Sequence, residues 1–141
     1  MEFFDALVRY ETELWNRLER TLIDAGAVSL AKLEALRVVA RHPGSCRVNE
    51  IAHDLAITVG AASKLVDRLV RDGLVTRQPH PHDRRSALIV ATSIGAAALT
   101  EARTIATRFL DGHLTGSDVE AMTSTLVVLR TQLGEDTEVG T

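Results

Sequence analysis

Apolar residues recur at intervals of three and four along most of this chain, which is helical spacing. From residue 3 to 24, Phe4, Leu7, Leu14, Trp15, Leu18 and Leu22 fall on one side, while Glu2, Arg9, Glu13, Arg17 and Glu19 lie largely elsewhere. Asp24-Ala25-Gly26 ends that helix. Ser29 suits the N-cap of a second helix, Leu30 to Arg41, with Leu33, Leu36, Val39 and Ala40 inward, and His42-Pro43-Gly44 stops it. Val48 to Leu55 reads as a short third helix with Ile51, Ala52 and Leu55 inward, and Ala56-Ile57 as the turn after it. Residues 58–72 carry Val59, Ala62, Leu65, Val66, Leu69 and Val70 at helical spacing, and Gly73 closes the run as a C-terminal glycine should. Leu74–Gln78 and Ala87–Ala91 are extended in character. Between them Pro79-His80-Pro81-His82-Asp83-Arg84-Arg85-Ser86 holds two prolines, which forbid a helix, and a basic tip. Thr92 or Ser93 then caps a fifth helix reaching about His113, with Ile94, Ala98, Ala102, Ile105 and Phe109 in register. Ser117-Asp118-Val119-Glu120 has the form of a capping box ahead of a sixth helix bearing Val119, Met122, Leu126, Leu129 and Leu133. Residues 135–141 are polar and acidic and read as a flexible tail.

Short helix, turn, longer helix, glycine turn, hairpin: this order is the plan of a winged helix-turn-helix. The expected fold class is mainly α with a small β-hairpin wing. One domain is expected over 1–134, with its winged core about 30–92 and flanking helices about 3–24 and 93–134.

The chemistry of helix 58–72 supports a reader of DNA. A major groove admits one α-helix if the facing side chains are short and can hydrogen-bond to base edges. Gly60, Ala61 and Ser63 supply the closeness, and Thr58, Ser63, Lys64 and Arg68 supply groups for bases and phosphates. Each of these could instead belong to an ordinary solvated helix face; their place between a helix-turn-helix and a wing favours DNA. The basic loop can reach an adjacent minor groove, whose negative potential attracts arginine; Arg85 suits that groove and Arg84 a phosphate, the alternative being a solvated loop. Arg77 suits the wing base, contacting phosphate or Asp83, and Asp83 suits pairing with an arginine or a simple turn role.

Charge sharpens the reading. The chain has 141 residues and a formal net charge of −3, which argues against a nonspecific nucleic-acid coat. Within 58–85, however, Lys64, Arg68, Arg71, Arg77, Arg84 and Arg85 outweigh Asp67, Asp72 and Asp83, for a net +3 on an otherwise acidic body. Such a polarity steers one face toward a phosphate backbone. The first helix and the last two are more than a winged helix needs, and their apolar stripes must be covered. A two-fold dimer does this economically and matches a palindromic operator.

Asp72-Gly73-Leu74-Val75-Thr76-Arg77, then Asp83-Arg84-Arg85-Ser86 and, six residues on, Thr92 opening a helix, resemble the wing signature of the MarR family of bacterial transcriptional regulators. Val48-Asn49-Glu50-Ile51-Ala52 resembles the start of that family's first helix-turn-helix helix, and the likeness extends from about Phe3 to Leu133. The resemblance implies a triangular homodimer held by its terminal helices. It implies helix 58–72 in the major groove, Arg85 in the minor groove and Asp83 positioning the wing by hydrogen bonding. It also implies a repressor released by a small, often phenolic or anionic ligand, or by thiol oxidation. Ala91 departs from the pattern, which usually has a larger aliphatic residue before the helix-opening threonine.

Other candidates carry less. Cys46, the single cysteine, excludes an internal disulfide framework; it could sense oxidants only if exposed and acidified. His80 and His82 have weak metal spacing and lack two further ligands nearby, so no metal or cofactor is expected. Tyr10 and Trp15 are candidates for an effector pocket, although aromatic residues on such a stripe more often belong to a core or dimer seam. No nucleophile–base pair or phosphate loop points to an enzyme. No apolar run approaches the roughly 20 residues that span a bilayer, and the acidic N-terminus lacks a signal-peptide pattern, so a cytoplasmic protein is expected. The competing functional reading is a winged-helix module for protein–protein contact without DNA.

Overall fold

The computed structural model describes residues 1–83 and 85–138. Its elements are α1 (Glu2–Asp24), α2 (Leu30–Arg41), α3 (Val48–Asp54), α4 (Val59–Arg71), β1 (Val75–Pro79), β2 (Ala87–Ala91), α5 (Ser93–His113) and α6 (Val119–Glu138). They divide into two units, Met1–Phe109 and the segment from Leu110 onward.

In the first unit, α2, α3, α4 and the strands enclose one core. Ala35, Leu36, Val38 and Val39 of α2 meet Ile51 and Ala52 of α3, Ala62, Leu65, Val66 and Leu69 of α4, and Leu74, Val75 and Ile89 of the hairpin. The inward face of α2 thus centres on Ala35 and Val38 as well as Leu36 and Val39, whereas Ala40, expected inside, is exposed. A second cluster joins Leu18 and Leu22 of α1, Leu30 and Leu33 of α2, and Ala102 and Ala106 of α5. Only the C-terminal third of α1 is therefore buried; Phe3, Phe4, Leu7, Val8, Tyr10 and Trp15 are exposed.

Local chemistry explains the boundaries. Ser29 caps α2 by accepting from the Lys32 N–H, and Glu19 of α1 accepts from the Leu30 N–H, satisfying a second free donor of that first turn. The α3–α4 turn runs through Ala56 at φ 52°, a left-handed position that usually favours glycine, and so stores a little strain. Gly73, at φ 70°, ends α4 as expected.

Strands β1 and β2 pair antiparallel, Val75 opposite Ala91 through Pro79 opposite Ala87. The Ile89 N–H also donates to the Cys46 carbonyl at 2.8 Å, fastening the hairpin to the segment ahead of α3. Ala91, small where a larger aliphatic was expected, still packs half-buried against the main core.

The hairpin is locked to α5 by one residue. The Thr92 hydroxyl donates to the Gly73 carbonyl at 2.6 Å, with the Leu74 carbonyl at 3.2 Å, and accepts from the Gly95 N–H at 3.0 Å. The Thr92 N–H donates to the Leu74 carbonyl at 3.0 Å. Thr92, rather than Ser93, is thus the cap of α5. Gly95 is buried at this junction, with no room for a side chain.

In the second unit, α6 begins one residue later than its expected box. Asp118 is the cap, its carboxylate accepting from the Ala121 N–H at 3.0 Å, so Ser117 and Glu120 do not form the reciprocal pair. Aspartate caps as well as serine, and the later start brings its carboxylate to the third helical N–H. The helix continues through Gly134 to Glu138, past the boundary that composition suggested. Among the described residues no helix is long and apolar enough to cross a membrane.

Candidate nucleic-acid interface

Helix α4 buries Ala62, Leu65, Val66 and Leu69 and turns the remaining positions outward. Val59 and Val70, expected inside, lie at the margins of that stripe and are exposed. Thr58 precedes the helix: its hydroxyl accepts from the Ala61 N–H at 3.2 Å, so it is the N-cap rather than a member of the outer face. Gly60, Ala61, Lys64 and Arg68 are exposed and Ser63 is half-buried. A Cβ placed on Gly60 would meet nothing within 4 Å, so the glycine is not required by the protein's own packing. It keeps this end of the helix thin, which suits close approach by a large ligand.

The wing starts beside this face. Arg77 of β1 pairs with Asp67 of α4 at 2.7 Å, not with Asp83. The sequence reading missed Asp67 because it lies on the polar side of α4 with no periodic mark. The Asp83 Oδ1 accepts from the Arg85 N–H at 3.0 Å, and its carbonyl accepts from the Ser86 N–H at 3.1 Å, which closes the turn. The other carboxylate oxygen lies 4.0 Å from Nη1 of Arg47, so the arginine facing Asp83 comes from the head of α3. Arg85 is exposed; Arg84 lies outside the described residues. An open cleft of about 340 Å³ separates the head of α3 from the wing, bounded by Arg47, Asn49, Asp83, Arg85 and Ser86. The structure therefore brings Arg85 and Asp83 together with a cation, Arg47, that sequence reasoning did not single out.

Cys46 is fully buried, and burial, with Glu50 and Asp54 adding negative potential, pushes its thiol up to about 11. That environment opposes the thiolate a sensor needs. Tyr10 and Trp15 are both exposed on α1. Five helical positions place them roughly 140° apart around the axis, so they do not share one stripe. His80 and His82 meet edge to face with ring centres 6.2 Å apart. Among the described residues no three His, Cys, Asp or Glu side chains are grouped to hold a metal ion. Asp54, at the end of α3, is held at a pKa of about 2 by hydrogen bonds from His42 and His53, with Arg41 assisting.

Comparisons with known proteins agree with this architecture. Residues 28–86 match the model of the MarR family. The multiple antibiotic resistance protein MarR of Escherichia coli (strain K12) is 35% identical over 66 residues, covering 47% of this chain and 46% of that protein, so the chain aligns with about half the length of that relative. The crystal structure of the transcriptional regulator BldR from Sulfolobus solfataricus superposes with a TM-score of 0.85 at 20% identity, covering 93% of this chain and 94% of that one. BpsR of Bordetella bronchiseptica, a structure concerned with the regulation of DNA binding by 6-hydroxynicotinic acid, superposes with a TM-score of 0.76 at 20% identity, covering 94% and 98%. At these identities the two structures show a shared fold.

Proposed function

As residues 28–86 make this chain a winged helix-turn-helix protein of the MarR family, we propose that it is a sequence-specific DNA-binding transcriptional regulator, acting as a homodimeric repressor. The observation that carries the reading is the exposed face of α4, with Gly60, Ala61, Lys64 and Arg68 outward beside a wing that presents Arg85. In it, α4 lies in the major groove, where short side chains let the helix approach base edges. Ser63 hydrogen-bonds near the entering end, where the capping Thr58 hydroxyl keeps its proton to donate to a phosphate, and Lys64, Arg68 and Arg84 meet backbone phosphates. Arg85 enters the flanking minor groove from the turn that Asp83 holds closed. Arg77, tied to Asp67, sets the wing base.

Apolar surface supports the dimer. The N-terminal half of α1 exposes Phe3, Phe4, Leu7 and Val8, and α6 exposes Val119, Met122, Leu126, Val127, Val128, Leu129 and Leu133. Four consecutive apolar residues, 126–129, make α6 apolar on several sides, the mark of a helix enclosed by neighbours. Two-fold closure covers these surfaces and presents two copies of α4 to a palindromic operator. Release by a small-molecule effector is part of the proposal, supported by the BpsR likeness and its 6-hydroxynicotinic acid. Tyr10 or Trp15 would contribute to that site singly, from different sides of α1.

Selection from random duplexes tests the reading. One palindromic consensus should emerge, bound by a dimer, with affinity falling steeply as salt rises because bound counterions are released. No enrichment, or salt-insensitive binding to a protein partner instead, would refute it.

A further inference from the structure

Arg47 stands immediately before α3, where its backbone N–H donates to the Glu50 carboxylate at 2.8 Å. Its guanidinium extends to the wing. Nη2 lies 2.8 Å from Nε2 of His80, the first residue after β1, and Nη1 lies 4.0 Å from the Asp83 carboxylate. Asp83 in turn holds the Arg85 backbone at 3.0 Å. A continuous chain of polar contacts thus runs from the helix-turn-helix body to the residue that carries the wing's exposed cation. We propose that Arg47 is a positioning residue of the wing, fixing the approach of Arg85 to DNA through His80 and Asp83; this rests on the DNA-binding reading above.

The geometry distinguishes this role from a direct phosphate contact. A free guanidinium lining the cleft beside Asn49 and Arg85 would suit a phosphate. Here its nitrogens are directed at an imidazole and a carboxylate, both on the wing. The consequence is a dependence on the state of His80. Arginine only donates, so the imidazole must accept through Nε2. The His82 backbone N–H approaches Nδ1 at 3.1 Å, so donors face both ring nitrogens. A neutral ring can accept from one of them at a time; a protonated ring accepts from neither and places a second cation against Arg47. Among the described residues, the charged or titratable groups beside the Arg47–His80 pair include Asp83, 4.0 Å from the guanidinium and offsetting part of that repulsion, and the His82 imidazole, edge-on to the His80 ring at 6.2 Å. Glu50 is engaged behind Arg47 on the backbone. Protonation of the His80 ring would therefore loosen the wing from α3.

The test uses the full-length protein with Arg47→Gln, His80→Gln and His82→Gln. Operator affinity is measured between about pH 8 and pH 5.5 and over a salt series, and hydrogen exchange of the wing is followed without DNA. Arg47→Gln should bind the operator about threefold to tenfold more weakly at the upper pH, the scale of losing a partly exposed charge-assisted contact. Its salt slope should stay close to that of the parent, and its wing amides should exchange faster in the free protein. Glutamine at position 80 keeps an acceptor but cannot titrate, so His80→Gln should retain affinity at the upper pH and lose much of the weakening at low pH. His82→Gln should keep the parent's pH profile. A salt slope reduced by about 0.9 with unchanged exchange would make Arg47 a phosphate ligand and overturn the proposal, as would unchanged affinity and exchange. If the parent protein bound no duplex, the regulator reading would fail, while wing exchange in Arg47→Gln would still decide whether Arg47 holds the wing.

Discussion

Replacing Gly95 by alanine should unfold the joint between the wing and α5. A Cβ at that position would lie 1.9 Å from the Leu74 carbonyl oxygen and 2.8 Å from its carbon. A carbon–oxygen contact settles at about 3.3 Å, so the two backbones would have to part by roughly 1.4 Å. That oxygen accepts from the Thr92 N–H at 3.0 Å and lies 3.2 Å from the Thr92 hydroxyl, which also accepts from the Gly95 N–H. Separation would strain or break this set. Overpacking costs about 1–3 kcal/mol, and each hydrogen bond lost about 1 kcal/mol, so a loss of about 3–5 kcal/mol is expected. For a chain of this size that lowers Tm by roughly 10–17 °C. Urea unfolding followed by far-UV circular dichroism at one fixed protein concentration measures it, since a dimer's stability depends on concentration. Gly112→Ala is the internal control. It also lies in α5, its added Cβ meets nothing within 4 Å, and it should be neutral or stabilising by up to about 1 kcal/mol. A Gly95→Ala protein within about 0.5 kcal/mol of the parent, in the ordinary range of surface changes, would refute the close approach of α5 to the Leu74 turn.

Arg85→Ala should cost about 1–3 kcal/mol of operator binding with no change in Tm, because the side chain is exposed; fluorescence anisotropy on the selected duplex measures the first and calorimetry the second. Cys46, buried and with its thiol raised to about 11, should resist thiol reagents at neutral pH in the folded protein and react at once in urea; fast labelling of the native protein would reopen the redox alternative. Asp54 titrates at about 2 in the fold against an ordinary 3.8, so the stability it lends is present above 3.8 and is lost as pH falls through about 2. Asp54→Asn should therefore flatten acid unfolding over that window, and an unchanged acid limb would show that the His42, His53 and Arg41 contacts contribute nothing.

Much of this arrangement was legible because it is local. The spacing of Ala62, Leu65, Val66 and Leu69 placed α4 and its outward face, and Gly73 and the paired prolines bounded the wing. Errors arose where two local choices were nearly equal in energy. Ser117 and Asp118 cap comparably well, and only the start of α6 at Val119 decides between them. The inward face of α2 rotated toward Ala35 and Val38 because α3, α4 and the hairpin meet it there, which its own periodicity could not say. What periodicity could not reveal at all are the pairings between residues far apart in the chain. Gly95 looks like a helix-weakening residue until the Leu74 carbonyl is set against it.

Arg47 makes the same point for function. In sequence it is one cation in a short connector, beside a cysteine that drew attention for its chemistry instead. The Ile89 N–H, donating to the Cys46 carbonyl, sets that connector against the hairpin, so Cys46 turns into the core and Arg47 toward His80 and Asp83. One backbone hydrogen bond thus helps fix both outcomes. The residue that could have been a sensor is silenced by burial, and its neighbour gains a hold on the wing. A reading by residue type alone ranks the thiol above the guanidinium; the hairpin pairing reverses that order.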